Sequence, residues 1–194
     1  MDNLHLFTLI NAGRGLSPLV LSLSVALAQW VIYLVPLAMA FAWIRGDRAS
    51  RTELLLVLLA MLIALGVAQA VTIVYPQPRP FALHLGNQYL EHGSDPGLPS
   101  DHVTVFWSAG LAALATRRFA VYGLPSMAVG TVVGWSRVFL GVHFPFDILA
   151  AFPVALAGAI AVFGAKHFIA PALGRMVDLS DRLASGVRDR MFAK

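Results

Sequence analysis

The sequence predicts an all-α fold: a polytopic integral membrane bundle of about five transmembrane helices, with interfacial helices at the N- and C-terminal ends. Three observations predict it. Apolar residues make up 58% of the 194-residue chain and charged residues 12%, with a mean hydropathy of +0.75, which is not the composition of an ordinary soluble domain. Five stretches are long and apolar enough to cross a bilayer core, which takes ~20 residues of helix. The cations gather on one side of those stretches. Length favours a single domain over residues 1–194, and no linker, low-complexity tract or convincing repeat divides it.

Each element follows in order. Leu4–Ala12 is apolar but too short to span, and is expected at the outer interface. The first span covers 17–44 and contains Pro36, so a kink or tilt is expected there. Ala26-Leu27-Ala28 has the small residues of a signal-peptide cleavage site. The apolar run nevertheless continues to Ile44 behind a leading segment that is hardly basic, which favours a retained span. The second span covers 53–75. The third, 102–116, is short, and Pro99-Ser100 starts its helix slightly earlier, with Ser100 as N-cap and Asp101 in the first turn. The fourth and fifth cover 119–140 and 145–165. Past Pro171, apolar Leu173, Met176, Leu179, Leu183, Val187 and Met191 recur at steps of three and four, an amphipathic helix suited to a membrane surface. Gly130 and Gly134 form a GxxxG pattern, read as packing inside the bundle ahead of dimerisation. The oligomeric state is left open.

The cations orient the bundle. Arg45, Arg48 and Arg51, then Arg117 and Arg118, then Lys166, Arg175, Arg182, Arg188, Arg190 and Lys194 fall on one side, leaving Arg14, Arg79 and Arg137 on the other. The positive-inside rule places the first group, and the C-terminal tail, in the cytoplasm. This distribution also reads the net charge of +4 as topology and excludes a nucleic-acid partner. The absence of cysteine excludes disulfides, thiol chemistry and cysteine-ligated metals.

Three polar islands then share the extracytoplasmic face: Arg79-Pro80, Pro99-Ser100-Asp101-His102, and Ser136-Arg137 followed by His143 and Asp147. Singly, each has a bland reading: an interfacial arginine, a helix cap, a first-turn proline with a capping aspartate. Together, ionisable groups at membrane depth are a functional hypothesis. Arginine forks match phosphate oxygens, a helix start offers N–H groups to an anion, and a carboxylate four residues from a histidine can hold one imidazole nitrogen while the other faces a substrate. His84, His92, Glu91 and Asp95 match no trusted metal spacing and are read as solvated loop residues; His5 and His167 are expected at interfaces.

These islands resemble the type 2 phosphatidic acid phosphatase superfamily of membrane lipid phosphatases, whose motifs are Lys-x6-Arg-Pro, Pro-Ser-Gly-His and Ser-Arg-x5-His-x3-Asp. The match covers roughly 72–147 with the spacing of the third motif intact. The resemblance implies a phosphohistidine nucleophile at His143 oriented by Asp147, an acid then base at His102, phosphate ligands at Arg79, Ser100 and Arg137, and no metal or other cofactor. Two positions depart from the pattern: Thr72 replaces the lysine, with Gln69, Tyr75 or Gln77 as candidate substitutes, and Asp101 replaces the glycine. Asp101, Thr72 and Ser136 are therefore carried as modulators. Pro-Ser-Asp-His and the Asn3–Ala12 opening look like the bacitracin-resistance type of undecaprenyl diphosphate phosphatase. The resemblance thus implies a lipid phosphate or diphosphate substrate among membrane lipids, with phosphatidic acid or phosphatidylglycerol phosphate as alternatives. A non-catalytic lipid-phosphate binder or transporter is the alternative of another class.

Overall fold

A computed structural model describes residues 2–192, without the side chains of Ala184 and of residues beyond Ser185. Among the described residues all regular secondary structure is helical. A short helix α1 (Asn3–Ile10) is capped by Asp2, whose carboxylate accepts from His5 N at 2.7 Å. Helix α2 (Pro18–Val25) starts at Ser17 and runs on through a π turn (Ala26–Trp30) and a 3-10 turn (Val31–Tyr33) into α3 (Leu34–Arg45). Pro36 has no N–H for the carbonyl of Ile32, so the kink expected at the proline is taken up in the turns just before it.

Helix α4 (Arg48–Val74) is capped by Asp47. A long loop with a 3-10 turn at Pro80–Leu83 leads to α5 (Asp101–Leu114), α6 (Gly123–Phe139), α7 (Pro145–Gly164) and α8 (Lys166–Phe192). Among the described residues three helical segments are long and apolar enough to cross a membrane: Pro18–Arg45, Arg48–Val74 and Pro145–Gly164. Helices α5 and α6 are shorter, at 14 and 17 residues. Of the five expected spans, three have this length and apolarity, and α5 and α6 fall short of it.

The core forms around α5, which packs against α4, α6 and α7. Small residues allow the close approaches. Ala60, Ala64 and Ala68 of α4 are buried, and a Cβ on Gly158 of α7 would meet the Ala60 carbonyl. Gly130 and Gly134 do the same on α6, where added Cβ atoms would meet Phe106 and Ile148 at 2.6 and 2.7 Å, so both glycines serve packing within the chain.

The cationic links converge at the opposite end from Arg79. Arg48 pairs with Asp178 at 2.5 Å, Arg51 with Asp181, and Arg118 with Asp47 at 3.1 Å. The Glu53 carboxylate accepts from Arg118 N at 3.0 Å. Helix α8 buries Gly174 and Val177 and leaves Met176, Leu179 and Leu183 exposed. Of the expected apolar stripe, Leu173 packs against the α4 core and Met176, Leu179 and Leu183 face outward, while the two aspartates pair with α4. Val187 and Met191, with Arg188, Arg190 and Lys194, lie outside the described side chains.

Candidate active site

The third motif is built by the end of one helix and the start of the next. Helix α6 stops at Phe139, and Gly141 takes φ +80°, where a Cβ would run into the Asn87 carbonyl; only glycine fits that reversal. The turn brings His143 back beneath Arg137. Asp147 sits in the first turn of α7, and its Oδ2 accepts from Phe144 N at 2.8 Å and meets His143 Nδ1 at 3.1 Å. The carboxylate thus fastens the helix start and the imidazole together, and all three of Arg137, His143 and Asp147 are buried. The Asp147 carbonyl accepts from Ser100 N at 3.0 Å, which joins the second motif to the third.

Arg79 reaches the same point from the loop after α4. Its Nη1 lies 3.0 Å from both Val142 O and His143 Nε2, its Nε donates to Asp95 O at 2.8 Å, and its Nη2 donates to Asp95 Oδ2 at 2.8 Å and Pro96 O at 3.4 Å. A guanidinium only donates, so His143 Nε2 is an acceptor here and the imidazole proton is on Nδ1, facing Asp147. Gly97 lies over this group: a Cβ there would stand 3.1 Å from Arg79 Cγ and from Asp147 Oδ2.

Arg137 is held less fully. Nη1 donates to Ala28 O, inside the π turn, at 2.9 Å, and Nη2 to His92 Nε2 at 3.1 Å, while Nε has no partner. Ser100 Oγ is likewise buried without a partner. Ser100 stands at the N-cap position, yet its hydroxyl does not cap α5, which corrects the expected role. One buried hydroxyl and the free N–H groups of a buried guanidinium are the donor set an anion requires.

A cavity of about 560 Å³ opens beside this group. Its polar end is formed by Arg137, His102 and His92, and its walls by apolar residues such as Ile32, Val35, Met61 and Val105. His102 thus faces the same space as Arg137, from the first turn of α5.

The three modulator side chains make their hydrogen bonds elsewhere than to the arginines. Thr72 Oγ1 donates to Leu98 O at 2.8 Å and fastens α4 to the loop before α5. Asp101 accepts from Gln69 at 3.3 Å through both oxygens, so Gln69 answers Asp101 and not the arginines. Ser136 Oγ donates to Val133 O at 2.7 Å within its own helix. Gln77 meets Gly97 N through its carbonyl at 2.9 Å, and Tyr75 is exposed.

Two loop residues read as solvated belong to the site. His92 and Asp95 lie 3.4 Å apart and engage Arg137 and Arg79 respectively. Burial and the charges of Arg79 and Arg137 hold the His92 pKa below its ordinary value. Burial works to raise Asp95, but the hydrogen bond and charge of Arg79 outweigh it and keep the carboxyl below the usual range. His84, by contrast, is exposed in the loop as expected, at φ 56°.

Comparison with known proteins then decides the family, since residues 53–169 match the model of the PAP2 superfamily. The chain belongs to the PAP2 superfamily. It is accordingly a membrane protein and a lipid-phosphate phosphatase. Within the PAP2 superfamily it is 37% identical over 186 residues to YbjG of Escherichia coli strain K12, named as a candidate undecaprenyl-diphosphatase, covering 96% of this chain and 90% of that one. It is 28% identical over 173 residues to the undecaprenyl-diphosphatase BcrC of Bacillus subtilis, covering 89% and 86%. The crystal structure of Aquifex aeolicus LpxE superposes with a TM-score of 0.67 at 20% identity, over 84% of this chain and 94% of that one, which shows the shared fold.

Proposed function

We propose that the chain hydrolyses undecaprenyl diphosphate to undecaprenyl phosphate and inorganic phosphate at the extracytoplasmic face, through a phosphohistidine on His143. One observation carries the reading: a buried imidazole with Nδ1–H on a carboxylate and Nε2 turned to a guanidinium, beside a second guanidinium and a hydroxyl with free donors. In this mechanism Arg79, Arg137 and Ser100 hold the terminal phosphoryl. His143 Nε2 attacks its phosphorus, and the bond to the bridging oxygen breaks with its electron pair leaving on the lipid phosphate. Asp147 steadies the charge that grows on the imidazole. His102 gives its proton to the departing oxygen and then takes one from the water that opens the phosphorus–nitrogen bond. Such acid–base help is worth ~10²–10⁴ in rate.

The lipid assignment is supported by the likeness to YbjG and BcrC along most of the chain, and by an apolar-walled cavity running from Arg137. The test is phosphate release by purified protein, with chelator present, from undecaprenyl diphosphate, phosphatidic acid and phosphatidylglycerol phosphate. The expected result is preference for the prenyl diphosphate, with turnover abolished in His143→Ala while lipid-phosphate binding persists. Strong preference for a glycerolipid would reassign the substrate. Function intact in His143→Ala would point to a binder or transporter, and strict dependence on a divalent ion would remove the mechanism.

A further inference from the structure

The loop before α5 delivers an imidazole that this mechanism leaves unused. His92 Nε2 lies 3.1 Å from Arg137 Nη2, which can only donate, so the His92 proton is on Nδ1, 3.1 Å from Gly93 O. The ring is 24% exposed and lines the cavity with Arg137 and His102. The charged and titratable groups around it are Arg137, Arg79, Asp95, Glu91 and His102.

The two sides of the site differ in what they meet during phosphoryl transfer. In the mechanism proposed above, the terminal phosphoryl lies toward His143 and Arg79, and the leaving group toward His102, on the cavity side. Beyond the bridging oxygen a lipid monophosphate presents a methylene, whereas a lipid diphosphate presents a second, anionic phosphoryl. Their needs differ too. An alkoxide leaving group depends on a proton, and a departing lipid phosphate depends more on groups that hold negative charge. Arg137 meets the terminal phosphoryl of either substrate, whereas His92 faces a charged partner only when the substrate is a diphosphate.

We infer that His92 is a specificity-determining residue which binds the lipid-proximal phosphoryl, with Arg137 reaching both phosphoryls through different N–H groups, and favours diphosphates over monophosphates. This rests on the phosphatase reading above. On binding, the phosphoryl takes the Arg137 Nη2–H that His92 now accepts, and the imidazole, its proton moved from Nδ1 to Nε2 through solvent, donates to a second oxygen. Both bonds are charge-assisted.

The experiment compares farnesyl diphosphate with farnesyl monophosphate, which share one chain, using full-length protein in detergent with chelator. The readout is the ratio of kcat/KM on the two substrates in the wild type, His92→Ala and His92→Gln. Loss of one hydrogen bond to a charged group predicts that the diphosphate-to-monophosphate ratio falls by about tenfold or more in His92→Ala. It should recover in part in His92→Gln, whose amide can still donate. Equal losses on both substrates would reduce His92 to a prop for Arg137 and overturn the inference, as would an unchanged ratio. If the wild type turns over neither substrate, or His143→Ala retains turnover, the phosphatase mechanism itself fails and the specificity role goes with it.

Discussion

Arginine donates and never accepts, and from that the proton positions of two imidazoles follow without seeing a hydrogen. The same rule exposes a competition at Arg79, whose five N–H groups all have acceptors: Asp95 twice, Pro96, Val142 and His143. A phosphate can reach that guanidinium only by displacing one of them, and Asp95, 59% exposed on its loop, is the freest to leave. Asp95→Asn should therefore tighten inhibition by inorganic phosphate by about two- to fivefold, the scale of an exposed ion pair. Because Arg79 holds the Asp95 pKa below the usual range, the carboxylate stays ionised across neutral pH, and the difference between variant and wild type should shrink only in acid. Weaker phosphate inhibition in the variant would mean instead that Asp95 aims Arg79 at its ligand. The pairing of His143 with Asp147 was readable in the sequence because four residues across a helix start fix it. The contacts of Asp95 and His92 were not, since they join residues 16 and 45 positions apart and depend on how a loop folds back.

Helix α1 shows what an element adds beyond its hydropathy. Its sequence gives a short apolar helix and no more, yet its end is a clamp on the third motif. Asn11 Nδ2 donates to Asn87 O at 3.0 Å and to Phe139 O at 3.2 Å, and Asn11 Oδ1 accepts from Asn87 N at 2.8 Å. At its other end Asn3 Oδ1 accepts from Phe146 N at 3.0 Å, and Phe7 is fully buried against Phe144. The helix thus holds the end of α6 and the start of α7, which carry Arg137, His143 and Asp147. Asn11→Ala strips the partners from Asn87 N and Asn87 O, each worth about 1–3 kcal/mol when left unmade, while Phe139 O keeps Ala12 N at 2.9 Å. The expected outcome is a lower melting temperature in detergent with reduced kcat. A variant as stable and active as wild type would show the clamp to be dispensable. The kink in the first span is a similar case. Pro36 announces a distortion, but that it places the Ala28 carbonyl against Arg137 depends on the packing of α2 and its π turn beside α6.

For the whole molecule, one axis organises everything described. Helix α4 begins at Arg48 among the cationic links and ends at Val74, just before Arg79, so its 27 residues separate a basic end from the catalytic one. The basic end is held by pairs between segments far apart in sequence, Arg48 with Asp178 and Arg118 with Asp47. The segregation of motifs from cations was legible because hydropathy and charge are one-dimensional signals, whereas the start of α5 and the end of α6, helices of 14 and 17 residues, are set by the turns and loops that the motifs build. Which end faces the cytoplasm can be measured directly, because the chain has no cysteine to mask. In intact cells a membrane-impermeant maleimide should label Ser94→Cys, in the exposed loop over the site. Ala49→Cys, exposed at the start of α4, should react only after permeabilisation. The reverse pattern would put the phosphatase site in the cytoplasm. A lipid diphosphate released on the outer face would then have to be carried inward before hydrolysis.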